Sequence, residues 1–237
     1  MSKDNDAFAL YEKALNIQFS TPKKALDLLW EAAQKYPNTL TVHNYVLDML
    51  ISIAQQNHFW DDAIRACSLA QQLKPDYQES YALEAEACQL DKDGKFIGAL
   101  DKRFRKDTRY GKWFGTVRDY GNKFADLGAH DRAWKLYNEA IVIAVQDGTS
   151  PHTVRVSMAN LLLKENNPIA AIEQLLVGIC EAEQFAKKGA PKSLITSLRK
   201  ALKIANLNSS ELTDKLVDRC KSKGQTEALA LLRELVK

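Results

Sequence analysis

An alanine that follows a polar turn and opens an amphipathic stretch recurs along the chain at almost constant intervals. The positions are Ala25, Ala63, Ala99, Ala133 and Ala171, at intervals of 38, 36, 34 and 38 residues. Such a period is typical of architectures that stack one small structural unit many times. Between these five alanines, which we call anchors, apolar residues are spaced as on one face of a helix. No stretch alternates apolar and polar residues between hairpin turns. The sequence therefore predicts an all-α fold built from repeated helix pairs.

The unit around Ala133 is the most complete copy of this pattern. It has small residues where two antiparallel helices would approach closely, and aromatic residues that would fill the space beside them. The small residues are Gly121, Ala133 and Ala140, and the aromatic residues are Tyr120, Phe124 and Tyr137, with Leu127-Gly128 at the turn. These residue types at these spacings resemble the tetratricopeptide repeat family, whose members are built from helix pairs.

The resemblance implies a tetratricopeptide-like helical-repeat solenoid with about five antiparallel helix pairs in residues 1–188. Beyond Gly189 the spacing fails but the helical period persists, so residues 189–237 are predicted to be C-terminal capping helices of the same continuous solenoid. The third pair departs from the family pattern, because Arg103 and Lys106 stand where an apolar and a small residue are usual. We therefore expect its second helix to be bent, rotated or shorter than the others.

In this family the first helix of each pair lines a concave groove that receives an extended peptide or a helix. The resemblance therefore implies an adaptor or scaffold that binds a segment of another protein through polar and tyrosine side chains. The residues that it assigns to the groove are Tyr45, Asp48, Tyr81, Glu84, Arg118, Asn122, Ser157, Asn160 and Lys164.

One subset of the family holds the C-terminal tails of chaperones in a clamp of lysine, two asparagines, lysine and arginine. Arg118 and Asn122 stand where the first two clamp residues would be. Ser157 replaces the second asparagine, and the following unit is too irregular to supply the last two residues. The sequence therefore disfavours this clamp.

A segment that interleaves basic and aromatic residues supports a second hypothesis. Residues 102–114 contain four aromatic residues, one acid and six basic residues, namely Lys102, Arg103, Arg105, Lys106, Arg109 and Lys112. A regulatory or assembly subunit could bind nucleic acid or a nucleoprotein through such a segment. It could also contact an acidic protein, or be a solvated helix end with Phe104, Trp113 and Phe114 buried. These alternatives stay open, although a net charge of +3 argues against general nucleic-acid binding.

Catalysis and cofactor binding are not predicted. The motifs that bind phosphates, dinucleotides or catalytic zinc do not occur, and the four histidines are dispersed. The four cysteines lie far apart within apolar helical stretches and are predicted to be buried free thiols. Because the catalytic and cofactor-binding motifs are absent, we expect no enzymatic activity, metal or cofactor. There is no secretory pattern and no run of about 18 apolar residues, so we expect a cytoplasmic protein with no membrane partner. The oligomeric state and the identity of the partner stay open.

Overall fold

The computed structural model describes residues 2–186, 191–207 and 210–236. In these ranges the chain is helical with turns between the helices, and it contains no β-strand. The all-α prediction is confirmed. The chain divides into two compact units, Met1–Arg109 (unit 1) and Tyr110–Lys237 (unit 2).

Unit 1 consists of six α-helices, each of which packs on the next along the chain. They are α1 (Lys3–Ile17), α2 (Pro22–Lys35), α3 (Leu47–Gln56), α4 (Trp60–Leu73), α5 (Gln78–Lys92) and α6 (Phe96–Asp107). A π-helical turn, Val42–Val46, leads into α3, and a 3-10 turn, Pro75–Tyr77, precedes α5. The anchors Ala25, Ala63 and Ala99 are fully buried between these helices.

The described part of unit 2 also contains six α-helices. They are α7 (Phe114–Asp126), α8 (His130–Gln146), α9 (His152–Lys164), α10 (Pro168–Ala186), α11 (Lys192–Ile204) and α12 (Ser210–Leu235). Helix α7 packs on α8, α9 packs on α10, and α10 also packs on α11 and α12, while α9 contacts α7, α8 and α11. Helix α12 is interrupted at Gly224, whose φ of 80° and ψ of −173° are not helical. No helix in the described ranges is long and apolar enough to cross a membrane.

The sequence period corresponds to a turn that recurs between paired helices. A residue with positive φ lies at His58, Gly94, Gly128 and Asn166, in each case five residues before the next anchor alanine. At Gly128 the turn is closed by the Ala129 N–H, which donates to the carbonyl of Phe124 at 2.9 Å, and the equivalent bond closes the other three turns. This is the Schellman ending of a helix, in which a left-handed residue lets the chain reverse tightly.

The close approach of paired helices is visible where α7 meets α8. The ring of Tyr137 lies against Gly121, where an added Cβ would be 2.6 Å from the Cε1 atom of Tyr137. Ala133 and Ala140 are fully buried beside them, and Phe124 is fully buried as well. The roles that the sequence suggested for these small and aromatic residues are therefore confirmed.

Two further expectations concern residue environments. All four cysteines are buried with free thiols, as predicted. Trp113, by contrast, is not buried, because 60% of its surface is exposed. Its ring lies beside Gly115, where the absence of a side chain leaves room against the first turn of α7. Phe104 is buried in unit 1, as the solvated-helix-end alternative expects.

Substitution of Gly128 tests the recurring turn. Gly128→Ala should lower the free energy of unfolding by about 1 kcal/mol, because its φ of 75° is unfavourable for a residue with a Cβ. Gly128→Asn should lower it by less, since asparagine occupies the equivalent position at Asn166. Urea unfolding followed by circular dichroism measures both variants. Equal losses for the two would contradict the backbone explanation.

Candidate functional site

Unit 2 contains an open pocket of about 580 Å³ between α7, α8, α9 and α11. Its wall combines amide, hydroxyl and charged side chains with a smaller set of apolar ones. The lining residues are Asn122, Ala125, Asp126, Tyr137, Ser157, Asn160, Leu161, Leu163, Lys164, Lys200 and Ile204. The wall is thus more polar than that of a typical small-molecule site, which is mostly apolar with a few polar groups.

The pocket brings together four of the five residues that the sequence analysis assigned to the groove from this half of the chain. Asn122 comes from α7, whereas Ser157, Asn160 and Lys164 come from successive turns of α9. Arg118 does not line the pocket, and its guanidinium forms an ion pair with the neighbouring Asp119 at 2.7 Å. The structure therefore does not bring Arg118 together with the four predicted groove residues that line the pocket.

A hydrogen bond links two of the pocket-lining side chains, Tyr137 and Asn122. Tyr137 Oη donates to Asn122 Oδ1 at 2.8 Å, which leaves the Asn122 amide nitrogen as a donor for a ligand. Burial raises the pKa of Tyr137 to about 12, with a further contribution from Asp126, so the phenol stays protonated and can donate. Asn160 is exposed at the pocket wall. Amide side chains of this kind can pair with both the N–H and the C=O of a bound peptide.

Seven pocket residues were missed by the sequence analysis: Ala125, Asp126, Tyr137, Leu161, Leu163, Lys200 and Ile204. Tyr137 was assigned only to helix packing, although its hydroxyl reaches the pocket. Lys200 and Ile204 lie four residues apart on α11, on the side of the helix away from the buried Leu198 and Leu202. That i, i+4 spacing is the signal that could have indicated a second side of the helix, facing the pocket.

In unit 1 the predicted groove residues form a smaller polar cluster. Tyr81 Oη donates to Asp48 Oδ1 at 2.7 Å and accepts from Lys74 Nζ at 2.8 Å, which links α3, α5 and the end of α4. Tyr45 is half exposed, and its ring lies 5.5 Å from that of Tyr11 between centroids. Because Asp48 and Tyr81 already satisfy each other, fewer polar groups are free here than in the unit 2 pocket.

Glu84, also predicted to line the groove, lies instead inside unit 1. Only 4% of its surface is exposed. Its carboxylate accepts from Gln55 Nε2 at 2.7 Å, from Arg103 Nε at 2.7 Å, and from Lys106 Nζ. Arg103 also pairs with Asp91 at 2.7 Å. Buried charges need such partners, so the two basic residues on α6 draw Glu84 into the interior.

The basic segment is largely neutralised by carboxylates. Arg103 and Lys106 are committed to Glu84, as described above. The other ion pairs join Lys102 to Glu86, Arg109 to Glu79 and Lys112 to Glu139. Arg105 is exposed on α6. Most of the cations counted in the sequence thus already have a partner, which weakens the field that they could offer to a polyanion.

The described part of the chain contains no group of three or more His, Cys, Asp or Glu side chains that could hold a metal ion. No protein-family model, curated protein or solved structure matches the chain.

Proposed function

We propose that this chain is a cytoplasmic protein-interaction adaptor, built from tetratricopeptide-like helix pairs, that holds a segment of another protein against the first helices of its pairs. The observation that carries the proposal is the unit 2 pocket, in which α7 and α9 contribute Asn122, Ser157, Asn160 and Lys164 to one concave surface. These are the helices that the family resemblance assigns to the groove.

The chemistry of the pocket suits a peptide segment. Amide and hydroxyl groups can pair with main-chain N–H and C=O groups, while Leu163 and Ile204 offer apolar contact. The walls lie on helices rather than on loops, so the protein loses little conformational freedom on binding and the peptide bears most of the ordering cost. A dissociation constant in the micromolar range, about 8 kcal/mol of binding free energy, is the natural expectation.

The nucleic-acid alternative receives less support. A protein that binds a polyanion needs free lysine and arginine side chains that can contact phosphates and displace their counter-ions. The affinity of such a protein falls steeply as the salt concentration rises. The ion pairs of Arg103 and Lys106 are partly buried, and the carboxylates paired with Lys102, Arg109 and Lys112 compete with a phosphate for the same cations. We therefore favour the peptide-binding adaptor.

Filling the pocket tests the proposal. Asn160→Trp places an indole in the pocket and removes an amide, so it should weaken partner binding at least about tenfold. Asn138→Trp is the matched control, because Asn138 is exposed on α8 outside the pocket. Quantitative affinity capture from nuclease-treated lysate would compare both variants with the wild type, after circular dichroism has shown equal helicity.

A partner that is lost with Asn160→Trp and retained with Asn138→Trp supports the adaptor. Equal capture by both variants would contradict use of the pocket. Capture that disappears on nuclease treatment of the wild type, and that depends on Arg105, would instead support the nucleic-acid alternative.

A further inference from the structure

One wall of the pocket comes from residues 189–237, which the sequence predicts to be capping helices. Helix α11 contributes Lys200 and Ile204, one turn apart, to the surface that also contains the residues of α7 and α9. Its opposite side is firmly anchored, since Leu194, Leu198 and Leu202 are fully buried against the rest of unit 2. Lys200 is therefore presented to the pocket from a fixed helix.

The charges in the pocket do not balance. Three charged side chains line it, namely Asp126, Lys164 and Lys200. Lys164 Nζ is 2.6 Å from Asp126 Oδ1, so these two charges compensate each other. Lys200 forms no ion pair or hydrogen bond with any residue in the described ranges. One positive charge therefore remains available to a ligand.

We propose that Lys200 makes the pocket selective for a peptide segment with an aspartate or glutamate side chain, which makes α11 part of the binding site. This inference rests on the proposed function and names the chemistry of the segment. A carboxylate that reaches Lys200 forms a charge-assisted hydrogen bond, which is stronger than the neutral ones that the amides provide. Ile204, 44% exposed, offers apolar contact to the carbon chain of the same side chain.

A side-chain carboxylate fits this pocket better than the carboxyl terminus of a chain. Terminal carboxylates are commonly captured by nests of free backbone N–H groups. The pocket-lining residues lie within α7, α8, α9 and α11, where backbone N–H groups are used in the helices themselves. What remains is one ammonium on a flexible stem, a point charge that suits a single mobile carboxylate.

The test uses defined peptide pools and the full-length chain. Nonapeptides with blocked termini and uncharged flanking positions carry either glutamate or glutamine at the centre, and a third pool carries glutamine with a free carboxyl terminus. Binding is followed by NMR through the side-chain amide of Asn160. The glutamate pool should bind about tenfold more tightly than the blocked glutamine pool, as expected for one charge-assisted hydrogen bond.

Lys200→Gln should reduce this preference to less than about twofold, whereas Lys203→Gln, an exposed lysine on the same helix outside the pocket, should retain it. Equal binding of the two blocked pools, or a preference that survives Lys200→Gln, would overturn the inference. A free-terminus glutamine pool that binds like the glutamate pool would overturn the assignment to a side chain. If no pool perturbs Asn160, the proposed function itself fails.

Discussion

Glu84→Gln should lower the free energy of unfolding by about 3 kcal/mol, the largest stability effect that we expect from a single substitution in unit 1. The carboxylate is buried between Arg103 and Lys106, so its removal leaves two partly buried cations without their shared partner. The expected loss lies at the lower end of the range for broken buried ion pairs, because Arg103 keeps its contact with Asp91 and both cations retain some solvent contact.

The matched control is Glu86→Gln, which removes an exposed carboxylate that pairs with Lys102 on the same two helices. Exposed ion pairs contribute little, so this variant should lose less than about 1 kcal/mol. Urea unfolding measures the free energy of unfolding of each variant. Hydrogen exchange of the α5 and α6 amides shows whether the loss of stability lies in unit 1. Similar losses for Glu84→Gln and Glu86→Gln would contradict a stabilising role for the buried cluster.

The stabilities of the wild type and of Glu84→Gln should also depend differently on pH. Burial alone would raise the pKa of Glu84, but Lys106 and Arg103 together outweigh it and hold the pKa below the ordinary value of 4.5. A carboxyl group with a lowered pKa in the folded state contributes stability above its unfolded pKa and loses it as the pH falls through the folded pKa. The difference in the free energy of unfolding between wild type and Glu84→Gln should therefore be largest at neutral pH and shrink progressively below about pH 4.5.

Gly121→Ala should lower the free energy of unfolding by about 2 kcal/mol, although alanine normally favours a helix. The new Cβ would lie 2.6 Å and 2.8 Å from Cε1 and Cδ1 of Tyr137. Only 1% of the surface of Tyr137 is exposed, so a shift of its ring would disturb the side chains packed around it. Displacing it would also strain the hydrogen bond from Tyr137 to Asn122, so peptide binding should weaken together with stability.

Gly98→Ala is the control for this second prediction. Gly98 lies within α6, and its added Cβ would meet Leu90 at an ordinary contact distance of 3.4 Å. This variant should be neutral or gain up to about 1 kcal/mol from helix propensity. Urea unfolding compares the two, and a stabilised Gly121→Ala protein would show that the contact between α7 and α8 is less tight than described.

The helical class and the repeated turns could be predicted because they follow from local patterns. Four of the five anchor alanines, all but Ala25, follow a residue of positive φ by five positions, so the period locates the turns at His58, Gly94, Gly128 and Asn166. The departure at Arg103 and Lys106 correctly indicated an unusual second helix. With 12 residues, α6 is shorter than α2, α4, α8 and α10, which have 14 to 19.

The site was only partly predictable, for two physical reasons. Position within a repeat assigned Glu84 to a surface, but its environment depends on Arg103 and Lys106, cations on another helix that no positional rule takes into account. Lys200 was missed because the spacing fails beyond Gly189, so the tail could not be aligned with the pairs before it. Both errors concern contacts between elements, whereas the pattern reports only on local structure.

The buried charges of unit 1 also bear on how the chain avoids folding with its helices in the wrong order. Four and seven residues after their anchor alanines, the second helices of the other pairs have leucine, cysteine, tyrosine, alanine or glycine, whereas α6 has Arg103 and Lys106. Equivalent helices in a repeat protein can exchange places during folding. Any helix that took the place of α6 against α5 would leave Glu84 and Asp91 without cations, which costs several kcal/mol. The cluster therefore identifies α6 as the neighbour of α5 among helices that otherwise share one pattern.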